Sequence, residues 1–279
     1  DYAYKEAESP ASAREMRLGW LRDFAAVPAG DHQALADFRS RTHGAAAAVG
    51  YGKAAMVFVM LRDTIGEEAF ARGLRLFWER ARFRIAGWPE LQRAFEDASG
   101  RALDVFFRQW LDRPGGPTIE LARAQWLADA GVSAIGARSP QPEAATGSAA
   151  GRLRVVLTQP APAYALRVPL ELAAGDRKET HWVEIDAART VRELAVDFVP
   201  ESLRLDPALR VWRVPAASQL PPILRQWMVA RAPRLVVADS LLAAEGAQAA
   251  GLAEAAVALA ERLFERPPRR ADASALRGG

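Results

Sequence analysis

The hydrophobic period changes once along this chain, near residue 117, and that change restricts it to a helical part followed by a β part. Up to about residue 116 apolar side chains recur at helical spacing. Ser9-Pro10 predicts a helix start, because proline suits the first helical turn. Met16, Leu18, Trp20, Leu21 and Phe24 then form a stripe that runs to the break at Val27-Pro28. A polar stretch from Asp31 to Gly44 holds one short helix, expected over Gln33–Arg39. Ala45–Ile65 reads as a strong helix closed by Gly66. Glu67–Phe83 reads as the next, with Phe70, Leu74, Phe77 and Trp78 on one face. Trp88-Pro89 opens another, ended by Ser99-Gly100, and Leu103–Leu111 is the last before Pro114-Gly115-Gly116-Pro117. Short connections predict antiparallel packing of these helices.

From Thr118 to about Val214 the period is two. Strands are expected at Leu153–Leu157, Tyr164–Leu172, His181–Ile185, Leu194–Phe198 and Arg210–Val214, with a turn at Gly175-Asp176. Their spacing predicts a β-sandwich. The Pro-, Gly- and Ser-rich run Ser139–Gly151 reads as a mobile loop. Past Pro221-Pro222 a helix resumes, then a strand at Leu235–Ala238 and an alanine-rich helix over Leu241–Phe264. The tail Pro267–Gly279 reads as disordered. A strand and helix with nothing after them are half an α/β unit. With the non-Met opening Asp1-Tyr2, which lacks any signal-peptide pattern, this predicts a piece of a longer protein.

Composition removes several chemistries. There is no cysteine, so disulfides, thiolate zinc sites and Cys nucleophiles are excluded, although either redox compartment fits. Only three histidines occur, His32, His43 and His181, and none forms an H-E-x-x-H. No metal site is expected within these residues. G-x-S-x-G, P-loop and G-x-G-x-x-G motifs are missing. The formal charge is +3, without a dense basic patch interleaved with aromatics, so nucleic acid is not an expected partner. No apolar run reaches the ~18 residues of a membrane-spanning helix.

The informative segment is Val49-Gly50-Tyr51-Gly52-Lys53-Ala54-Ala55-Met56. Tyr51 lies toward the start of a helix, where free N–H groups favour negative charge. A phenol ionises near pH ~10, so near neutrality it is a hydrogen-bond donor. Lys53 is one of three lysines, with Lys5 and Lys178, in a chain that otherwise uses arginine, which suggests a specific need. His43 lies eight residues before Tyr51 and is a candidate to line the same cleft. His32 and His181 read as structural. On these residues alone, a tyrosine packed at a helix start is the simpler account.

The order of motifs from Tyr51 to Pro117 resembles the segment after the zinc site in aminopeptidase N-like gluzincin metallopeptidases. The matching pieces are Tyr51-Gly52-Lys53, the helix Ala54–Leu61 and Ile65-Gly66-Glu67-Glu68-Ala69-Phe70. Trp88–Leu91, Phe95-Glu96-Asp97-Ala98-Ser99-Gly100, Phe106-Phe107-Arg108-Gln109-Trp110-Leu111 and Pro114-Gly115-Gly116-Pro117 follow in order. The resemblance implies that Tyr51 is the catalytic tyrosine of a Tyr-x-Lys-Gly motif, donating to the tetrahedral intermediate. Ala54 stands where that family has glycine. The family's H-E-x-x-H and its further Glu ligand have no match here, and Glu6, Glu8 and Glu15 are not in that motif.

These readings give an α+β expectation. Residues 1–117 form the helical lobe of a thermolysin-like catalytic domain, 118–215 a β-sandwich, and 216–279 a truncated α/β or helical segment. The expected function is that of a fragment of a zinc-dependent metallopeptidase, inactive alone, with Tyr51 catalytic and His43 and Lys53 lining the substrate cleft. Zinc and a peptide substrate belong to the intact parent. The alternative is a non-enzymatic binding or scaffold module derived from such a peptidase. A lobe separated from its partner exposes apolar surface, which predicts a homodimer. A third reading makes the strand–helix tail the opening of a small α/β ligand-binding domain.

Overall fold

Ser9 shows how local chemistry sets the first helices. Its hydroxyl accepts a 3.0 Å hydrogen bond from the Ser12 N–H, and Pro10 occupies the first turn of α2 (Pro10–Ala25). A shorter helix, α1 (Tyr2–Glu8), precedes it. The computed structural model describes residues 1–40, 44–128, 150–216, 219–220, 234–236, 247–264 and 268–271. After the Val27-Pro28 break the chain makes two 3₁₀ turns, Ala29–Asp31 and Leu35–Asp37, so the helix expected over Gln33–Arg39 shrinks to one turn.

The helix expected from Ala45 to Ile65 is continuous but not uniform. It comprises α3 (Gly44–Ala47), a π-helical turn (Ala48–Lys53) and α4 (Ala54–Ile65). Gly66, at φ +88°, ends it and leads into α5 (Glu67–Ala81). The latter stops two residues before Phe83, which turns to φ +62°. α6 (Trp88–Ser99) starts with the Glu90 carboxylate accepting from Gly87 N–H at 2.9 Å and ends on left-handed Gly100. α7 (Asp104–Asp112) closes the helical part. Leu21, Phe24, Met56, Leu61, Phe95, Phe107 and Trp110 form its interior.

The β part contains two three-stranded antiparallel sheets. One has the order β1 (Glu120–Ala128), β2 (Gly151–Thr158), β5 (Arg189–Val196). The other runs β4 (Arg177–Ile185), β3 (Leu166–Ala174), β6 (Ser202–Leu205). β3 and β4 form a hairpin around Gly175, at φ +54°, in the expected turn. Alternation points Leu153, Val155 and Leu157 of β2, and Leu166, Val168, Leu170 and Leu172 of β3, into the cluster that holds the helical core. β5 begins five residues ahead of the expected Leu194.

Arg210–Val214, expected as a strand, is not one. A buried carboxylate takes the place of a neighbouring strand: Asp206 accepts from Arg210 N–H at 2.6 Å, Val211 N–H at 3.2 Å and Arg213 Nε at 3.3 Å. Burial pushes the Asp206 pKa up, against the pull of the Arg213 guanidinium. Trp212 is fully buried, with its indole N–H on Gly115 O at 3.3 Å, and Val214 N–H reaches Pro117 O. Val211 and Trp212 of this run are apolar because they belong to the hydrophobic cluster shared by the helices and the sheets. Nearby, Arg62 holds Glu6 bidentately at 2.5 and 2.6 Å, and Arg210 holds Asp63 in the same way at 2.5 and 2.6 Å.

Asp1–Ala216 forms one compact unit and Ala217–Gly279 a second. The expected break at 117/118 falls inside the first, across the shared hydrophobic cluster. In the second unit β7 (Arg234–Val236) pairs in parallel with β8 (Arg269–Ala271), and α8 (Ala247–Leu263) lies between them in sequence. The expected disordered tail is therefore corrected at Arg269–Ala271, which supply the second strand of a β-α-β unit. The loop at 139–149, the helix after Pro221-Pro222, the first residues of the Leu241–Phe264 helix and most of the tail lie outside the described residues.

Candidate functional site

Gly50 and Gly52 bracket Tyr51 within one helix, although each glycine costs a helix interior about 1 kcal/mol. Close approach accounts for both. A Cβ at Gly50 would lie 2.2 Å from the Phe38 ring, and one at Gly52 would lie 3.3 Å from Trp20 Cβ. The two aromatics press on the helix from α2 and from the turn after Leu35–Asp37. At this place the helix is wound one residue wider. Ala54 N–H reaches back five residues to Val49 O while sharing Tyr51 O. Such π-turns are frequent at functional sites.

Tyr51 and Lys53, two residues apart, lie on opposite faces of this helix. Tyr51 is 58% exposed, with its ring edge-on to Phe38 at 6.0 Å and 74°. It lies in the body of the 44–65 helix rather than at its start, so the helix N-terminal charge expected near it is centred on Gly44 instead. Lys53 has no exposed surface, and its Nζ donates to Arg113 O at 2.7 Å. Burial, aided by the Arg113 guanidinium, lowers the Lys53 pKa to about 8. Arg113 caps α7 and lies over the Tyr164 ring at 3.5 Å. The specific need for lysine at position 53 is thus a buried donor for the end of α7. His43 lies outside the described residues.

The remaining histidines are engaged elsewhere. His32 stacks on Phe24 at 4.6 Å, and its Nε2 lies 3.2 Å from Val27 O, with its pKa lowered by burial. His181 lies 3.4 Å from Glu179. Glu6 is committed to Arg62, which holds its carboxyl below the usual range, and Glu8 pairs with Lys5 at 2.9 Å. Among the described residues no three His, Asp or Glu side chains come together as a metal site. A groove of about 720 Å³ between α7 and the β3–β4 hairpin is lined by Arg101, Phe106, Gln109, Arg167 and Glu184, and Tyr51 is not on its wall. Phe38 was not legible as a contributor, since it follows an irregular turn. The glycine pair around Tyr51 was the available signal for it.

No family profile matches the chain. A 72-residue stretch is 35% identical to aminopeptidase N of Lactococcus lactis subsp. lactis, covering 26% of this chain and 8% of that protein. Tricorn protease-interacting factor F2 of Thermoplasma acidophilum is 29% identical over 76 residues, covering 27% and 10%. Probable aminopeptidase 1 of Sulfurisphaera tokodaii is 30% identical over 71 residues, covering 25% and 9%. The match therefore spans about a tenth or less of the length of these curated relatives. Among solved structures, Legionella pneumophila aminopeptidase A in complex with aspartic acid aligns over 65% of this chain and 19% of its own, at 13% identity and TM-score 0.46. Over about a quarter of its length the chain is related to proteins named aminopeptidases.

Proposed function

We propose that this chain forms the metal-free wall of an aminopeptidase-type active site, with Tyr51 as its reacting-centre residue. In this reading residues 1–117 are the helical lobe of a thermolysin-like catalytic domain, and the two sheets behind it form a β-sandwich. The observation that carries the reading is the exposed Tyr51, held outward by a π-turn against Phe38, within a segment of aminopeptidase-like order. When water adds to a peptide carbonyl, the oxygen gains negative charge. A phenolic O–H aimed at that oxygen stabilises it more than it stabilises the ground-state carbonyl, which is what lowers the barrier.

The described residues do not fit a zinc site, because their His, Asp and Glu side chains do not converge. No step is therefore assigned to a metal on this chain. Zinc and its ligands belong to residues of the intact protein beyond these 279. Lys53 serves the site indirectly, by fixing α4 to the end of α7.

The reading is tested in two stages. The purified chain should not hydrolyse aminoacyl-anilides with or without added zinc, and zinc-dependent hydrolysis would overturn the assignment of the metal site elsewhere. The coding sequence ahead of Asp1 should contain H-E-x-x-H. Its absence there would leave the non-enzymatic binding module as the better account.

A further inference from the structure

The end of α5 presents apolar side chains to solvent in a setting of uncompensated positive charge. Trp78 is 63% exposed, Phe83 97% and Ile85 105%, with Leu74 one turn before Trp78 at 41%. Residues 72–87 contain five arginines and one acid, Glu79. Arg72 lies 3.7 Å from Glu68 and Arg80 pairs with Asp97 at 2.5 Å. Arg75, Arg82 and Arg84 form no ion pair among the described residues and are exposed. Arg82-Phe83-Arg84-Ile85, just past the end of α5, alternates cation with apolar group. Phe83 also adopts φ +62°, a conformation a bulky L-residue avoids, and in it the ring touches almost nothing of its own protein. That cost brings no packing in return within the chain.

We propose that this tip docks on an anionic lipid surface, with Trp78, Phe83 and Ile85 entering the headgroup–acyl boundary and Arg75, Arg82 and Arg84 meeting lipid phosphates. Charge complementarity selects the occupant's sign, because among the described residues the groups at the tip outside ion pairs are three arginines against one acid, Glu79. Its shape selects a bilayer over a protein. The apolar groups project singly instead of lining a groove, so a fluid boundary can envelop them where a rigid surface would need matching holes. An aliphatic residue beside the rings also argues against stacked nucleotide bases, which need π-faces. Tryptophan suits the interfacial depth. No helix of the described residues is long and apolar enough to cross a membrane, so this contact is peripheral.

The test is co-sedimentation of the full chain with phosphatidylcholine vesicles, with and without a third of phosphatidylglycerol, read in parallel by Trp fluorescence. Binding is expected only to the anionic vesicles and should weaken in high salt. Replacing Arg82 or Arg84 by Ala should cost about fivefold each in partitioning. The double change Phe83→Ser/Ile85→Ser should cost about tenfold or more. Phe83→Gly should also lose binding while raising the melting temperature, because glycine accepts that φ, which separates lost docking from lost folding. Equal partitioning of wild type and the double variant would overturn the proposal. So would the absence of vesicle binding, whether the tip then mediates dimerisation, seen by light scattering as a dimer that the double variant dissolves, or binds oligonucleotides.

Discussion

Lys53 gives the protein a pH dependence that a stability measurement can isolate. Its ammonium is fully buried on a single carbonyl, Arg113 O, and its pKa is lowered to about 8 from the ordinary 10.5. Between those values the unfolded chain holds the proton and the folded chain has released it. Falling proton concentration then favours the folded state. The contribution is fully present above pH 10.5 and is lost as pH falls through 8. At ~1.36 kcal/mol per pH interval of one, raising the pH from 7 to 9.5 should add about 2 kcal/mol from this group alone. Urea unfolding of wild type and Lys53→Met at both pH values isolates that contribution, since the other titrating groups are common to both proteins. The difference in stability, wild type minus variant, should move by about 2 kcal/mol in favour of wild type at the higher pH. A difference that stays constant would show that Lys53 is hydrated in solution, and would remove the case for its role at the end of α7.

Gly50→Ala should destabilise the protein by about 1–3 kcal/mol, because its Cβ would meet the Phe38 ring at 2.2 Å. Fluorescence-detected urea melts would show the loss, and an unchanged midpoint would mean that Phe38 does not press on the π-turn. Asp206→Ala should cost about 3–5 kcal/mol, since it removes the buried acceptor shared by two backbone N–H groups and Arg213 Nε. The exposed pair Arg80–Asp97 provides the control, where Arg80→Ala should cost under about 1 kcal/mol in the same melt.

The helices were legible wherever a residue type carries its own stop or start. Ser9-Pro10, Gly66 and Gly100 mark ends that the structure keeps, because caps act locally. The β part was less legible, since alternation reports a half-buried face and not a hydrogen-bonded neighbour. Val211 and Trp212 are buried as a strand's residues would be, yet Val211 N–H is held by the Asp206 carboxylate and Trp212 N–H by the Met60 sulfur, partners that periodicity does not register. β8 was hidden for a related reason. Three arginine- and alanine-rich residues have no strand propensity, and only the register with β7 makes them one. At the candidate site the sequence singled out Tyr51 and Lys53 together. Two residues apart, they lie on opposite faces of any helix, but which face is covered is set by Phe38, Trp20 and the end of α7, contacts that local spacing does not register.

The central claim rests on Tyr51, and its most direct measurement is the kinetics of Tyr51→Phe in the intact protein with its metal site. Loss of one donor to the oxyanion should lower kcat by about 10²–10³. Zinc content and KM should hold near wild-type values. A Tyr51→Phe enzyme with wild-type kcat would contradict the account.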